Sequence, residues 1–187
     1  TGTLTYTWYF GDGNTSSSVN PVHHYTIAGT YTVSLKANNN FGCSDIYQKQ
    51  ITVYDIPNAK FSAPDSCTGN AVPFSNNSTG NGTLTWFWTF GDGAITSTAQ
   101  SPTHVYTTAG KYTVTLKVTN QGGCFDEISK DITINETPKA NFVYTGACIK
   151  SVTQFTDSSK ISSGTLTYNW NFGDGGSASI ASPSHTY

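Results

Sequence analysis

One string appears three times in this chain. GTLTYTWYFGDG (Gly2–Gly13) returns as GTLTWFWTFGDG (Gly82–Gly93) and again as GTLTYNWNFGDG (Gly164–Gly175). Trp8, Trp88 and Trp170 stand 80 and 82 residues apart. Solenoid repeats recur every 20–50 residues or so, and this period is longer. It is the size of a small independent domain, so the chain must build one fold several times over.

Other residues keep the same phase. Asp12, Asp92 and Asp174 sit between glycines, and His23, His104 and His185 each precede a tyrosine by two positions (Tyr25, Tyr106, Tyr187). AGTYTVSLKANN (Ala28–Asn39) matches AGKYTVTLKVTN (Ala109–Asn120). The cysteines repeat as well, Cys43 with Cys124 and Cys67 with Cys148. Pro57 and Pro138 mark the joints. The expected organisation is a partial copy over residues 1–56, a complete copy over 57–136, and a partial copy over 137–187. The first lacks its beginning and the last its end, so the chain reads as an excerpt of a longer one that starts at Thr1 without a Met. Neither partial copy holds all the strands that close a core.

Within the complete copy the apolar period is 2. Leu84, Trp86, Trp88 and Phe90 point one way, and Thr85, Phe87 and Thr89 the other. Tyr112, Val114, Leu116 and Val118 alternate with threonines and Lys117, while Ile128, Ile132 and Ile134 share one face of the next strand. Phe61 and Ala63, then Val72 and Phe74, supply two short strands before them. Gly, Asn, Ser and Pro clusters separate the runs, and no helical period survives. The reading is all-β: tandem immunoglobulin-like sandwiches of about seven strands per complete unit, with a Trp on the third strand. The inter-sheet disulfide pattern of antibody domains is missing.

Bulk composition narrows the function. Only 11 % of the 187 residues are charged and the net charge is −2, which leaves no basic footprint for nucleic acid. Nothing approaches the ~20-residue apolar run of a membrane-spanning helix. Four cysteines in a chain rich in hydroxyl residues favour export and disulfides, with buried free thiols as the alternative. Their spacing matches no zinc motif.

The motifs W-x-F-G-D-G, P-x-H-x-Y and G-x-Y-x-V-x-L-x-V-x-N, in that order, resemble the PKD domain, a sandwich first named for polycystic kidney disease proteins. The resemblance spans the whole chain. The arrays it most resembles are those of large cell-surface proteins in Bacteroidetes, including gliding-type adhesins. It implies a non-enzymatic module in an extracellular or cell-surface setting. Some PKD domains of secreted proteases hold calcium near this turn, where the family's usual string is W-D-F-G-D-G. Here the first Asp is replaced by Tyr9, Thr89 and Asn171. Calcium takes six to eight oxygens, as a rule with several carboxylates. No cofactor is therefore expected, and Asp12, Asp92 and Asp174 remain the weak calcium candidates.

Each repeated residue has a structural and a chemical reading. The Asp can be a metal ligand or a turn residue that bonds nearby backbone N–H groups, the glycines supplying positive φ. The His, near an Asp and many serines, invites a triad, but no G-x-S-x-G elbow is present and identical partial triads in every copy make no enzyme. Its plainer role ties a loop to a strand beside the Tyr, which acts as a corner residue. His24 is extra to the first copy and expected to be exposed. Tyr9 and Phe87 face outward and could form a sugar platform, but the third copy carries Asn169 and Asn171 on that face.

The cysteines allow a geometric expectation. In such a sandwich the first turn and the last hairpin lie at opposite ends, roughly 26 Å apart along a strand of about eight residues. Cys67 falls in the first and Cys124 in the second, beyond disulfide reach. Disulfides between neighbouring copies are the expectation, with no bridge closing inside this chain. The function expected is a segment of a long extracellular rod, stalk or filament. Its partners are neighbouring repeats in the same chain and like chains in a filament, with no nucleic acid and no membrane insertion. The alternative is an accessory substrate- or glycan-binding module of a secreted hydrolase.

Overall fold

A computed structural model describes residues 3–93, 95–146 and 148–187. Among these there is no helix; every element is a strand. The first copy contributes β1 (Leu4–Tyr9), β2 (Thr15–Ser16), β3 (Gly29–Asn39) and β4 (Ser44–Val53), in one antiparallel sheet ordered β2-β1-β3-β4. The middle copy contributes β5 (Phe61–Ser62), β6 (Ser66–Cys67), β7 (Ala71–Pro73), β8 (Ser75–Asn76), β9 (Leu84–Thr89), β10 (Thr96–Ser97), β11 (Thr103–Val105), β12 (Gly110–Asn120) and β13 (Phe125–Asn135). Its main sheet runs β10-β9-β12-β13-β6, with β5-β8 and β11-β7 as separate pairs. The third copy contributes β14 (Phe142–Thr145), β15 (Val152–Asp157), β16 (Trp170–Asn171), β17 (Ser177–Ala178) and β18 (Ser184–Thr186).

The middle copy thus has nine strand pieces where the sequence predicts about seven. Two expected strands are broken. The first ends at Ser62 instead of including Ala63. Pro64 has no N–H to give to a ladder, so pairing changes there: β5 lies antiparallel to β8, whereas β6 lies parallel to β13. The second is cut at Phe74, whose N–H donates to the Pro102 carbonyl at 2.9 Å between β7 and β8.

Contacts divide the chain into two compact units. One holds the residues to Ser62 with Phe74–Pro102 and Val114–Lys130. The other holds Ala63–Pro73, Thr103–Thr113 and Asp131–Tyr187. In the first unit Trp88 is fully buried, with the Phe61 ring edge-on at 5.2 Å and the Phe74 ring at 5.8 Å. Phe90 lies against Phe74 at 5.2 Å, and β12 sets Leu116 opposite Trp88 and Val118 opposite Trp86. The Trp88 indole N–H donates to Ala99 O at 3.0 Å, so the ring is buried without an orphaned donor. In the second unit Val72, Tyr106, Ile132 and Ile134 are buried, and Tyr106 packs on Tyr112 at 4.3 Å.

The outer copies use the same positions without the same cover. Trp8, Phe10, Val33, Leu35 and Ile51 line an open cleft of about 410 Å³. Phe142, Tyr144, Phe155 and Tyr187 line another of about 470 Å³. The third copy also shortens the tryptophan strand. β9 runs six residues against β12, and β1 six against β3, but β16 has only two residues, paired with β17. A strand's backbone groups need a ladder partner, and among the described residues β17 is the strand that pairs with β16.

Removing the Trp88 ring should leave a cavity between Phe61 and Phe74. Trp88→Ala is expected to destabilise the chain by about 3–5 kcal/mol, against about 0.5 kcal/mol or less for the outward-facing Phe87→Ala. Urea unfolding followed by circular dichroism checks both; equal effects would contradict the burial described.

Candidate functional site

The Gly-Asp-Gly turn follows the tryptophan strand. Gly11 has φ of +83°, and a Cβ there would lie 2.8 Å from the Thr32 carbonyl oxygen, so both conformation and space require glycine. Between the glycines Asp12 turns inward. Its Oδ1 accepts the Asn14 N–H at 3.0 Å, and its Oδ2 accepts the Asn14 side-chain amide at 3.0 Å and His23 Nε2 at 2.7 Å. A carboxylate only accepts, so Nε2 carries the proton. The third copy repeats the arrangement: Asp174 accepts the Gly176 N–H at 2.9 Å and His185 Nε2 at 2.7 Å.

Aromatic packing fixes both imidazoles. His23 lies flat on Phe10, with centroids 4.0 Å apart, and edge-on to Tyr25. His185 lies flat on Phe172 at 4.3 Å and edge-on to Tyr187. Tyr25 and Tyr187 each donate a hydroxyl back to the strand end, to Phe10 O at 2.9 Å and Phe172 O at 3.2 Å. In the middle copy His104 is 7 % exposed and Tyr106 1 %, the rings edge-on at 4.7 Å. Trp8 and Trp170 donate their indole N–H to Ser18 O and Ile180 O. His24 is exposed.

Burial alone would push the Asp12 carboxyl up. The Asn14 side chain and N–H, with the bond and charge of His23, outweigh it and bring it down to about 2. The His185 bond and the Gly176 N–H likewise lower Asp174. The oxygens of Asp12 and Asn171 do not fit a calcium ion. The Asp12 oxygens face N–H donors and an imidazole, and Asn171 Oδ1 is occupied by the Gly173 N–H at 2.9 Å. The arrangement ties a turn to a strand; both imidazoles are clamped between rings.

A second group of residues stands at the joints, where the sequence reading singled out the prolines, the cysteines and the recurring Asn39 and Asn120 but not their contacts. Asn120, 5 % exposed, closes the β12–β13 hairpin. Its Oδ1 accepts Gly122 N–H at 3.0 Å and Cys124 N–H at 3.1 Å, and its Nδ2 donates to Asp55 O at 2.7 Å. Tyr54 lies across the same hairpin: a Cβ on Gly122 would sit 2.2 Å from its ring, and its hydroxyl accepts from Gln121 at 3.1 Å. Asp55 Oδ2 also accepts the Asn81 side-chain amide at 3.0 Å. At the next joint Glu136 takes the place of Asp55. It accepts both the N–H and the hydroxyl of Ser162, which lower its pKa, the hydroxyl most. Thr137 there donates its N–H and hydroxyl to Thr68, Oγ1 and O respectively. The available signal was the recurrence of Asn39 with Asn120 and of an acid two places before each joint proline.

All four cysteines are free thiols. Cys67 pairs with Asn135 at the end of β13, and Cys124 immediately precedes its start.

Two outcomes follow. A carboxyl held below its ordinary 3.8 stabilises the fold above that value and stops doing so as pH falls through about 2. NMR titration should therefore place the Asp12 midpoint near 2, and Asp12→Asn should remove the Asp12 share of the stability lost between about pH 4 and 2, leaving those of Asp174 and Glu136; a midpoint near 4 would contradict the hydrogen bonds. Asn120→Ala should cost about 1–3 kcal/mol in urea unfolding, because it strips a buried hairpin of its side-chain acceptor and the linker of a donor. Asn39→Ala, at a less buried position, should cost less.

The sequence model of the PKD domain matches residues 1–53, 54–134 and 135–187. The chain is 33 % identical over 130 residues to the pre-pro-metalloprotease PrtV of Vibrio cholerae, covering 67 % of this chain and 14 % of that protein. It is 36 % identical over 78 residues to collagenase ColA of Bacillus cereus, covering 42 % of this chain and 8 % of that protein. The chain thus spans a small part of the length of these relatives. Among solved structures, the PKD1 domain of the Vibrio cholerae metalloprotease PrtV is 36 % identical, with a TM-score of 0.40, over 44 % of this chain and all of that one. With three matches in tandem along its length, the chain belongs to the PKD domain family.

Proposed function

We propose that this chain is a segment of a long extracellular, cell-surface rod or stalk, in which repeated PKD domains set length and hold an adhesive end away from the cell. The observation that carries the reading is the joint. Asp55 and Glu136, at the start of the second and third matched segments, each accept bonds from a loop of their own segment, and Thr137 is bonded to Thr68 of the preceding one. A merely flexible tether would need no such bonds. Within this reading the copies have no catalytic role. They bear load through strand ladders and buried tryptophans, and partner with neighbouring repeats and like chains.

The second reading is an accessory module of an exported hydrolase that holds substrate near a catalytic domain elsewhere. The similarity to PrtV and ColA favours it. So does the outward aromatic face of the middle copy, where Phe87 pairs with Lys117 and the Lys117 ammonium lies 4.0 Å over the Phe125 ring.

Electron microscopy of the native protein separates the two. The rod predicts a beaded fibre with one bead per repeat, and a compact particle would contradict it. Glycan-array binding abolished by Phe87→Ala would favour the accessory module.

A further inference from the structure

We propose that each joint of the array is a disulfide site, joining the first-turn cysteine of one copy to the last-hairpin cysteine of the next. Two joints show the two halves of that site. At the first, Cys124 Sγ lies 3.8 Å from the carbonyl oxygen of Tyr54. At the second, Cys67 is the register partner of Asn135, and the next residue, Thr68, donates its N–H to Asn135 O at 2.8 Å. Tyr54 and Asn135 are the same position of the repeat, each three residues before the joint proline. One linker carbonyl therefore has the hairpin sulfur of the following copy beside it at one joint, and the first turn of the preceding copy at the other.

Both cysteines stand close to the same linker position. Paired strands lie about 4.8 Å apart, so the Cys67 backbone is one strand spacing from the linker. A disulfide joins Cα atoms about 4.4–6.8 Å apart. Within a copy Cys124 precedes the first residue of β13 and Cys67 is the register partner of its last. Among the described residues each joint carries one cysteine of the pair, Cys124 at the first and Cys67 at the second. The reaction takes a small-molecule disulfide such as oxidised glutathione. Two cysteine thiols form one S–S bond, and the oxidant leaves as two thiols carrying the protons and electrons. The staple does not depend on the rod reading, since it would stiffen a short spacer equally.

The test keeps all 187 residues and prolongs the chain in phase, with a copy of residues 57–80 before Thr1 and a copy of residues 107–135 after Tyr187. After oxidation by glutathione disulfide, alkylation and peptide mass mapping read each thiol. Cys124 should lose its alkyl adduct and appear joined to the added copy of Cys67. Cys67 should do the same with the added copy of Cys124, while Cys43 and Cys148 stay alkylated. Cys67→Ser should return its added partner to the alkylated form. Each extension is also made alone, so that a folding fault at one end leaves the other joint to decide. A bond between Cys67 and Cys124, or alkylation of every cysteine at both joints, overturns the proposal.

Discussion

The aromatic cluster around Trp88 is the contact on which the rest of the sandwich depends. A six-residue strand of alternating apolar and hydroxyl side chains has no reason to stay flat alone. It does so here because Trp88 meets Phe61 and Phe74 on one side, while β12 satisfies its backbone. The outer copies separate these two requirements. The first keeps the ladder, through β1 and β3, but leaves its tryptophan on an open cleft. The third keeps the ring contacts, Trp170 against Phe142 and Phe155, but loses the ladder, and its strand shrinks to two residues. Side-chain cover and backbone pairing are thus distinct contributions, and among the described residues the middle copy combines them.

The turn and the joint solve a similar problem with different chemistry. Each must hold irregular backbone in place, and polar groups there need partners. At the turn, Asp12 gathers N–H donors from its own loop and an imidazole from the next segment. At the joint, Asn120 uses both ends of its amide, gathering the hairpin N–H groups with its oxygen and the linker carbonyl with its nitrogen. A residue type commonly associated with chemistry serves architecture in the first case. In the second, a turn-forming residue type ties the linker carbonyl to a hairpin.

Much of this was legible in the sequence, for identifiable reasons. Period-2 alternation placed β9, β12 and β13 because each buries one face, and repetition of the glycine turn marked positions with positive φ. The breaks at Pro64 and Phe74 were not legible, because they depend on which sheet each half of a strand joins. Neither was the shortening of β16: GTLTYNWNF keeps the inward pattern of its paired counterparts, with Asn169 and Asn171 on the outer face, and among the described residues it pairs only with β17. The joint contacts of Tyr54, Asp55 and Glu136 are long-range in sequence: Asn120 lies 65 residues from Asp55. Local pattern cannot register such a bond, although recurrence of Asn39 and Asn120 pointed to the hairpin that makes it.

The central claim is that the linkers are built parts of the fold and not tethers. Backbone 15N relaxation of the intact chain tests it most directly, at the amides of Tyr54, Asp55, Ile56, Asn135, Glu136 and Thr137. The account predicts order parameters of about 0.85, equal to those of β9 and β12. Values below about 0.6 at these amides would mean freely moving linkers and would contradict it.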